Sequence, residues 1–237
     1  MEYHLQLLSF GDAGWGDEIA RGVFVTVSLA ACTLPLGLVF GFFIALAKNS
    51  SEPTLRLAAD IYTTIFRGLP ELLTLFVIYY GGQIALSAAT RALFGEPLEV
   101  NSFLAGMIAL ALVFSSYASE VFLSAFRGIP AGQYEGAGAL GLSRAATMRL
   151  VILPQLIRLA LPGLSNLWLI LLKDTSLVSV IGLADLLRNT NIAVGVTKQA
   201  FFFFFVACMI YLVLSIVSSI GIGRVSAWAE RGQGAAR

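Results

Sequence analysis

The sequence predicts an all-α integral membrane protein with about five transmembrane helices. Three observations carry this: hydrophobic residues fill 58% of the 237 positions, charged residues only 12%, and uncharged apolar runs recur at span length. So apolar a chain has too little polar surface to cover a water-soluble domain, and roughly 20 apolar residues let a helix cross a hydrocarbon core about 30 Å thick. In that solvent every backbone polar group must be paired internally, which selects helices. No Ser/Gly-rich linker separates the runs, so a single membrane domain over 1–237 is expected.

The first span, 19–47, rests on the uncharged run Gly22 to Ala47. At 1.5 Å per residue that run is about 39 Å long, enough to cross with tilt. Pro35 predicts a kink, and Gly37 with Gly41 forms a Gly-x-x-x-Gly pair that lets a neighbouring helix approach closely. Cys32, and Cys208 in the last span, read as small apolar packing residues. The second span, 70–92, follows Phe66-Arg67-Gly68-Leu69-Pro70, and the third, 100–126, ends in the similar Phe126-Arg127-Gly128-Ile129-Pro130. An Arg that snorkels to the headgroups beside a helix-breaking Gly-x-Pro reads, in both copies, as a corner at the membrane face. The fourth span, 151–173, is interrupted by Arg158. Thr175 to Leu187 is too short to cross and is bounded by charges, so a short interfacial or re-entrant helix is expected there. The fifth span, 198–224, contains Phe201 to Phe205, which must face all sides of a helix and read as packing and lipid contact.

Segments 48–68, 127–158 and 224–237 hold ten of the fifteen basic residues, and the positive-inside rule puts them in the cytoplasm. The acidic N-terminal region, with Glu2, Asp12, Asp17 and Glu18, is then outside and the C-terminus inside. Loop 127–150 becomes cytoplasmic. It carries Glu135-Gly136-Ala137-Gly138-Ala139-Leu140-Gly141, followed after nine residues by Val151-Ile152-Leu153-Pro154. Residues 132–140 can form a short helix, and Ser143 is placed to cap the helix that resumes at Arg144. The small residues let that short helix sink into a partner's cleft, with Glu135 as a charged handle. Gly136 and Gly138 each cost about 1 kcal/mol of helix propensity against Ala, so the partner is expected to hold the helix.

The spacing Glu-x-Ala-x-x-x-Gly, nine residues, Val-x-Leu-Pro resembles the cytoplasmic loop by which permease subunits of bacterial ATP-binding-cassette (ABC) importers engage their ATPases. Gly136 and Val151 depart from that pattern. Arg67-Gly68-Leu69-Pro70-Glu71-Leu72-Leu73, Tyr80 to Leu86, Tyr117 to Glu120 and Leu171 to Gly182 resemble the polar amino acid permeases, and most of all the histidine and opine type. Many such relatives carry Arg three residues after the third-span Glu, where this chain has Leu123 and its Arg at 127. The resemblance implies a type I ABC importer permease of the bacterial inner membrane, with a coupling-helix loop. It implies that Glu135, Gly136, Ala137, Gly141, Leu153 and Pro154 meet a cassette ATPase. A second permease, identical or paralogous, and a periplasmic binding protein that delivers an amino acid complete the assembly it implies. ATP and Mg belong to the ATPase: this chain has no Gly-x-x-x-x-Gly-Lys-[Ser/Thr] loop and is expected to bind no cofactor and catalyse no reaction.

A net charge of +1 without a dense Lys/Arg cluster argues against nucleic acid as a partner, leaving membrane lipid and protein. The only histidine is His4, and no Gly-x-Ser-x-Gly or metal-spaced cluster occurs, which argues against a membrane enzyme. A stand-alone secondary transporter or channel for small polar solutes is the remaining alternative, and it has no use for the docking loop. Polar groups within spans are costly unless they face a cavity or partner, so Asp174, Ser176, Glu120, Glu71, Gln83 and Asn166 are the candidate substrate contacts. An amino acid needs an anion for its ammonium and a donor for its carboxylate, and Asp174 with Ser176 leads. Plainer roles stand beside these: a Lys173 pair or an N-cap for Asp174, a basic partner across the subunit interface for Glu120, and a cap at the cytoplasmic corner for Glu71.

Overall fold

The structure, a computed structural model, describes residues 6–11, 14–98 and 100–230, with no strand among them. Glu2, His4, Asp12 and the 231–237 tail lie outside the described residues. In chain order the elements are α1 (Gly16–Lys48), α2 (Pro53–Gly68), α3 (Glu71–Phe94), α4 (Ser102–Arg127), α5 (Ala131–Ala139), α6 (Arg144–Ile181), α7 (Leu186–Thr197) and α8 (Ala200–Glu230). Among the described residues α1, α3, α4, α6 and α8 are long and apolar enough to cross a membrane, and they overlap the five expected spans.

Helix α4 is the axis. Most of its apolar length is buried, whereas α3 and α8 turn most of theirs outwards. α1 lies along it, and the Gly-x-x-x-Gly pair makes the seam: a Cβ on Gly41 would stand 2.8 Å from the Ala118 Cβ and 3.0 Å from the Ser115 carbonyl. The ring of Phe114 fills the space a side chain at Gly37 would need. Pro35 sits inside α1 without ending it. Ser116 and Ser119 of α4 return their hydroxyls to the carbonyls three residues back, each at 2.7 Å, so a polar helix face is buried at little cost. Cys32 and Cys208 are exposed on the outer surface of the bundle rather than packed within it.

Two regions depart from expectation. The expected cytoplasmic segment 48–68 folds as α2, a 16-residue amphipathic helix packed against α1 and α4. The Tyr62 hydroxyl donates to the Leu112 carbonyl at 3.0 Å. Its charges hide it from a hydropathy reading because they are neutralised by residues distant in sequence. The 66–70 corner joins α2 to α3 with Arg67 to Pro70 exposed, and Glu71 opens α3 without capping it: the capping position is Pro70, and no side chain closes the helix start. The second departure lies at 175–187. α6 does not stop at 173 but continues as a 3₁₀ turn through Thr175–Ile181, so Asp174 has helical dihedrals and is no N-cap. Gly182, at φ 90°, ends it, and a separate helix α7 begins at Leu186 with Asp185 as its cap, its carboxylate accepting from the Arg188 N–H at 2.9 Å.

Near its start α6 widens to a π turn over Thr147–Ile152, just ahead of Pro154. Proline brings no N–H and its ring collides with the carbonyl four residues back, so a wider turn relieves both problems without breaking the rod.

Candidate functional site

The docking loop is the first of two sites. α5 ends in a Schellman arrangement: Gly141 has φ 73°, its N–H donates to the Gly138 carbonyl at 2.9 Å, and the Leu142 N–H reaches the Ala137 carbonyl at 3.1 Å. A side chain at 141 would be strained in that left-handed conformation. Ala137 is 3% exposed and faces inward onto the start of α6, so it seats the helix on its own subunit. The outward face consists of Glu135, Gly136, Gly138, Ala139 and, at the tip, Leu140 with 82% of its surface exposed. Space around Gly136 and Gly138 is open. Gln155 ties α6 back to the loop by donating to Gln133 Oε1 at 3.0 Å, and Ser143 caps the resumed helix through the Ala146 N–H. Leu153 is half-buried and Pro154 exposed at the head of the α6 shaft. Burial raises the Tyr134 hydroxyl pKa above its ordinary value.

The second site lies halfway along α4. Glu71 and Asp174 line one narrow, enclosed cavity with Leu75, Phe114, Tyr117 and Leu171, and the two carboxylates are electrostatic neighbours. Asp174 reaches the cavity from α6 where its α-helical turns give way to the 3₁₀ turn, and Glu71 from the first residue of α3. The residues around this cavity contribute two acids, aromatic and aliphatic walls, and no basic side chain. Two like charges in an apolar hollow repel and are poorly solvated, a state that a cation entering between them relieves.

Below this cavity a knot of ion pairs ties three helices. Lys48, at the end of α1 and 7% exposed, pairs with Asp60 of α2 at 3.2 Å and with the Glu120 carboxylate of α4. Arg67 of α2 reaches the same Glu120 oxygen at 3.2 Å, and its guanidinium lies 5.6 Å from the centre of the Tyr117 ring. The basic partners of Glu120 are thus within the subunit, where the sequence suggested one across an interface.

The remaining candidates separate from both sites. Gln83 is occupied in pinning the loop after α3: its Oε1 accepts from the Val100 N–H at 2.6 Å, and its Nε2 donates to Ser87 and to the Leu98 carbonyl. Asn166 is exposed on the outer face of α6, and Ser176 is half-buried two residues beyond Asp174, outside the cavity lining. Tyr117, a polar residue of an apolar span, lines the cavity, and Arg67 of α2 stands over its ring, a pairing between α2 and α4 that no local pattern announces.

The family model described as "Binding-protein-dependent transport system inner membrane component" matches residues 37–229. The chain is similar to the nopaline transport system permease protein NocQ of Agrobacterium fabrum, with 44% identity over 230 residues, covering 96% of this chain and 98% of that protein. It is also similar to the histidine/lysine/arginine/ornithine transport system permease protein HisQ of Salmonella typhimurium, 37% identical over 206 residues, covering 87% of this chain and 90% of the other. Among solved structures it matches a crystal structure of an amino acid ABC transporter with histidines, at a TM-score of 0.76 and 33% identity, covering 90% of this chain and 94% of that one. An inward-facing MetNI methionine ABC transporter matches at a TM-score of 0.68 and 16% identity, a likeness of fold, with 89% of this chain and 95% of that one covered.

Proposed function

We propose, from the premise that the chain belongs to the family of binding-protein-dependent transport system inner membrane components, that it forms the membrane pathway for a cationic or opine-type amino acid. The single observation that carries the substrate class is the pair of carboxylates, Glu71 and Asp174, on one enclosed cavity without a basic lining residue. The names of its relatives, which transport nopaline, octopine or histidine, lysine, arginine and ornithine, support the same class.

In this reading a periplasmic binding protein delivers the substrate, and the pathway forms with a second permease, either a copy or a paralogue. The cassette ATPase binds ATP and Mg, hydrolyses the nucleotide and grips the outward face of α5. The amino end is periplasmic and the carboxyl end cytoplasmic, which the distribution of basic residues supports. When the narrow cavity widens to admit substrate, the substrate's guanidinium, ammonium or imidazolium brings positive charge between the two acids, of which only Asp174 already feels a lysine, Lys173. A stand-alone transporter has no use for α5 and its Schellman cap.

The test is uptake of radiolabelled L-arginine by the complete importer in proteoliposomes, with its binding protein and ATP. Glu71→Gln and Asp174→Asn should each lower uptake about tenfold or more, the scale of one charge-assisted hydrogen bond, while the ATPase still co-purifies. Uptake within twofold of wild type in both variants overturns the assignment of this cavity.

A further inference from the structure

We propose that Arg67 receives the carboxylate of the transported molecule and so helps to set specificity, an inference that rests on the cavity reading above. Glu71 and Asp174 answer only the cationic part of an amino acid. Its carboxylate needs a donor, and none of the side chains that line the cavity is basic.

Three basic residues lie close enough in the fold to be considered. Lys173 adjoins Asp174 and is exposed, and its charge already acts on the Asp174 carboxylate. Lys48 is 7% exposed and already shared between Asp60 and Glu120. Arg67 is different. Its guanidinium lies over the ring of Tyr117, a wall of the cavity, and its side chain is 45% exposed. Arginine offers five N–H donors, and among the described residues its ion pair is to Glu120, at 3.2 Å.

The ion-pair knot makes Arg67 the cation that can be spared. Glu120 is held by both Lys48 and Arg67, and Lys48 is in turn held by both Glu120 and Asp60. When Arg67 turns from Glu120 to a substrate carboxylate, Glu120 keeps Lys48 and no buried acid is left bare. The connector supports such a turn. Arg67 sits in the last turn of α2, Leu69 and Pro70 are extended, and Glu71 starts α3, so the basic and the acidic group are set at the two ends of a short non-helical hinge. A turn of the Tyr117 ring exposes the guanidinium to the cavity. The arrangement selects molecules with a cationic group at one end and a carboxylate at the other, and it extends to N-carboxyalkyl derivatives that carry further carboxylates on that side.

The experiment is equilibrium binding to the purified permease–ATPase complex in nanodiscs without binding protein, using L-arginine and its carboxylate-free analogue agmatine. Arg67→Met should weaken L-arginine at least about tenfold while agmatine stays within about twofold, and Arg67→Lys should recover part of the loss. Glu120→Gln, which removes the ion pair but keeps Arg67, should leave both ligands within about threefold. An equal loss of both ligands in Arg67→Met, or no loss of either, overturns the carboxylate role, because a merely structural Arg67 cannot tell the two apart. Wild-type complex that binds neither ligand, or Glu71→Gln that binds both as wild type does, overturns the cavity reading and this inference with it.

Discussion

Asp185 is fully buried at the start of α7, and burial pushes its carboxyl up from 3.8 to about 6 against the backbone N–H bonds that favour the charged form. One oxygen caps the helix and the other has no hydrogen-bond partner. The groups around it are Arg188 on its own helix, the Tyr211 hydroxyl of α8, Thr26 of α1 and Thr175 at the end of α6. A raised native pKa means that the folded state holds this proton more tightly than the unfolded chain does. The penalty of ionisation is therefore absent below 3.8, grows between the two values and is complete above about 6. Asp185→Asn keeps a good capping oxygen and removes the penalty, on the order of 2 kcal/mol, so the variant should melt several degrees higher at pH 7.5, with the gap markedly smaller at pH 4.5. Thermal unfolding of the purified complex at the two pH values checks this, and equal melting temperatures at pH 7.5 refute it.

At the scale of elements, the docking helix separates residues that shape it from residues that present a face. Glu135→Lys should reduce ATPase recovery in a pull-down several-fold without changing membrane insertion, since its carboxylate is exposed and forms no ion pair among the described residues. Gly141→Val should damage the loop itself, because a β-branched residue pays about 1–2 kcal/mol or more at positive φ. Limited proteolysis between 139 and 144 distinguishes the two: faster cleavage is expected for Gly141→Val and not for Glu135→Lys. The spans and this loop were legible in the sequence because each is a local pattern, an apolar run or a fixed spacing of Gly and Pro. α2 was not. Arg56, Asp60 and Arg67 break its apolar character, and the partners of the last two, Lys48 and Glu120, lie on other helices. The place of Glu71 on the cavity was lost with it, and the length of α6 was lost because nothing in Thr175–Ile181 distinguishes a continued turn from a new helix.

For the whole molecule, the prediction concerns which end faces which compartment. With Cys32 and Cys208 replaced, because both are exposed on the bundle surface, a lone cysteine at Ser143 should react with a membrane-impermeant maleimide only in inverted vesicles. Labelling of right-side-out vesicles would reverse the topology and separate α5 from any cytoplasmic ATPase. The candidate cavity was legible only in part: Asp174 and Glu71 were both singled out as polar residues in apolar surroundings, but their meeting depends on two helices running further than their composition suggests.

α6 counts 38 residues from Arg144 to Ile181, about 57 Å if wholly α-helical, nearly twice the hydrocarbon thickness. Its head is clamped to α5 through Gln133 and Gln155, and Asp174 lies far up the same shaft. With Gly163 set against Val121 of α4 between those points, the shaft is a lever with its fulcrum at that contact. A sideways push of an ångström or two at the loop is returned, reversed in direction, as a comparable displacement of one carboxylate relative to the other. Work done at one surface thus reaches a charge held in the middle along a single helix, with Pro162, beside the Gly163 contact, marking the point where the shaft can bend.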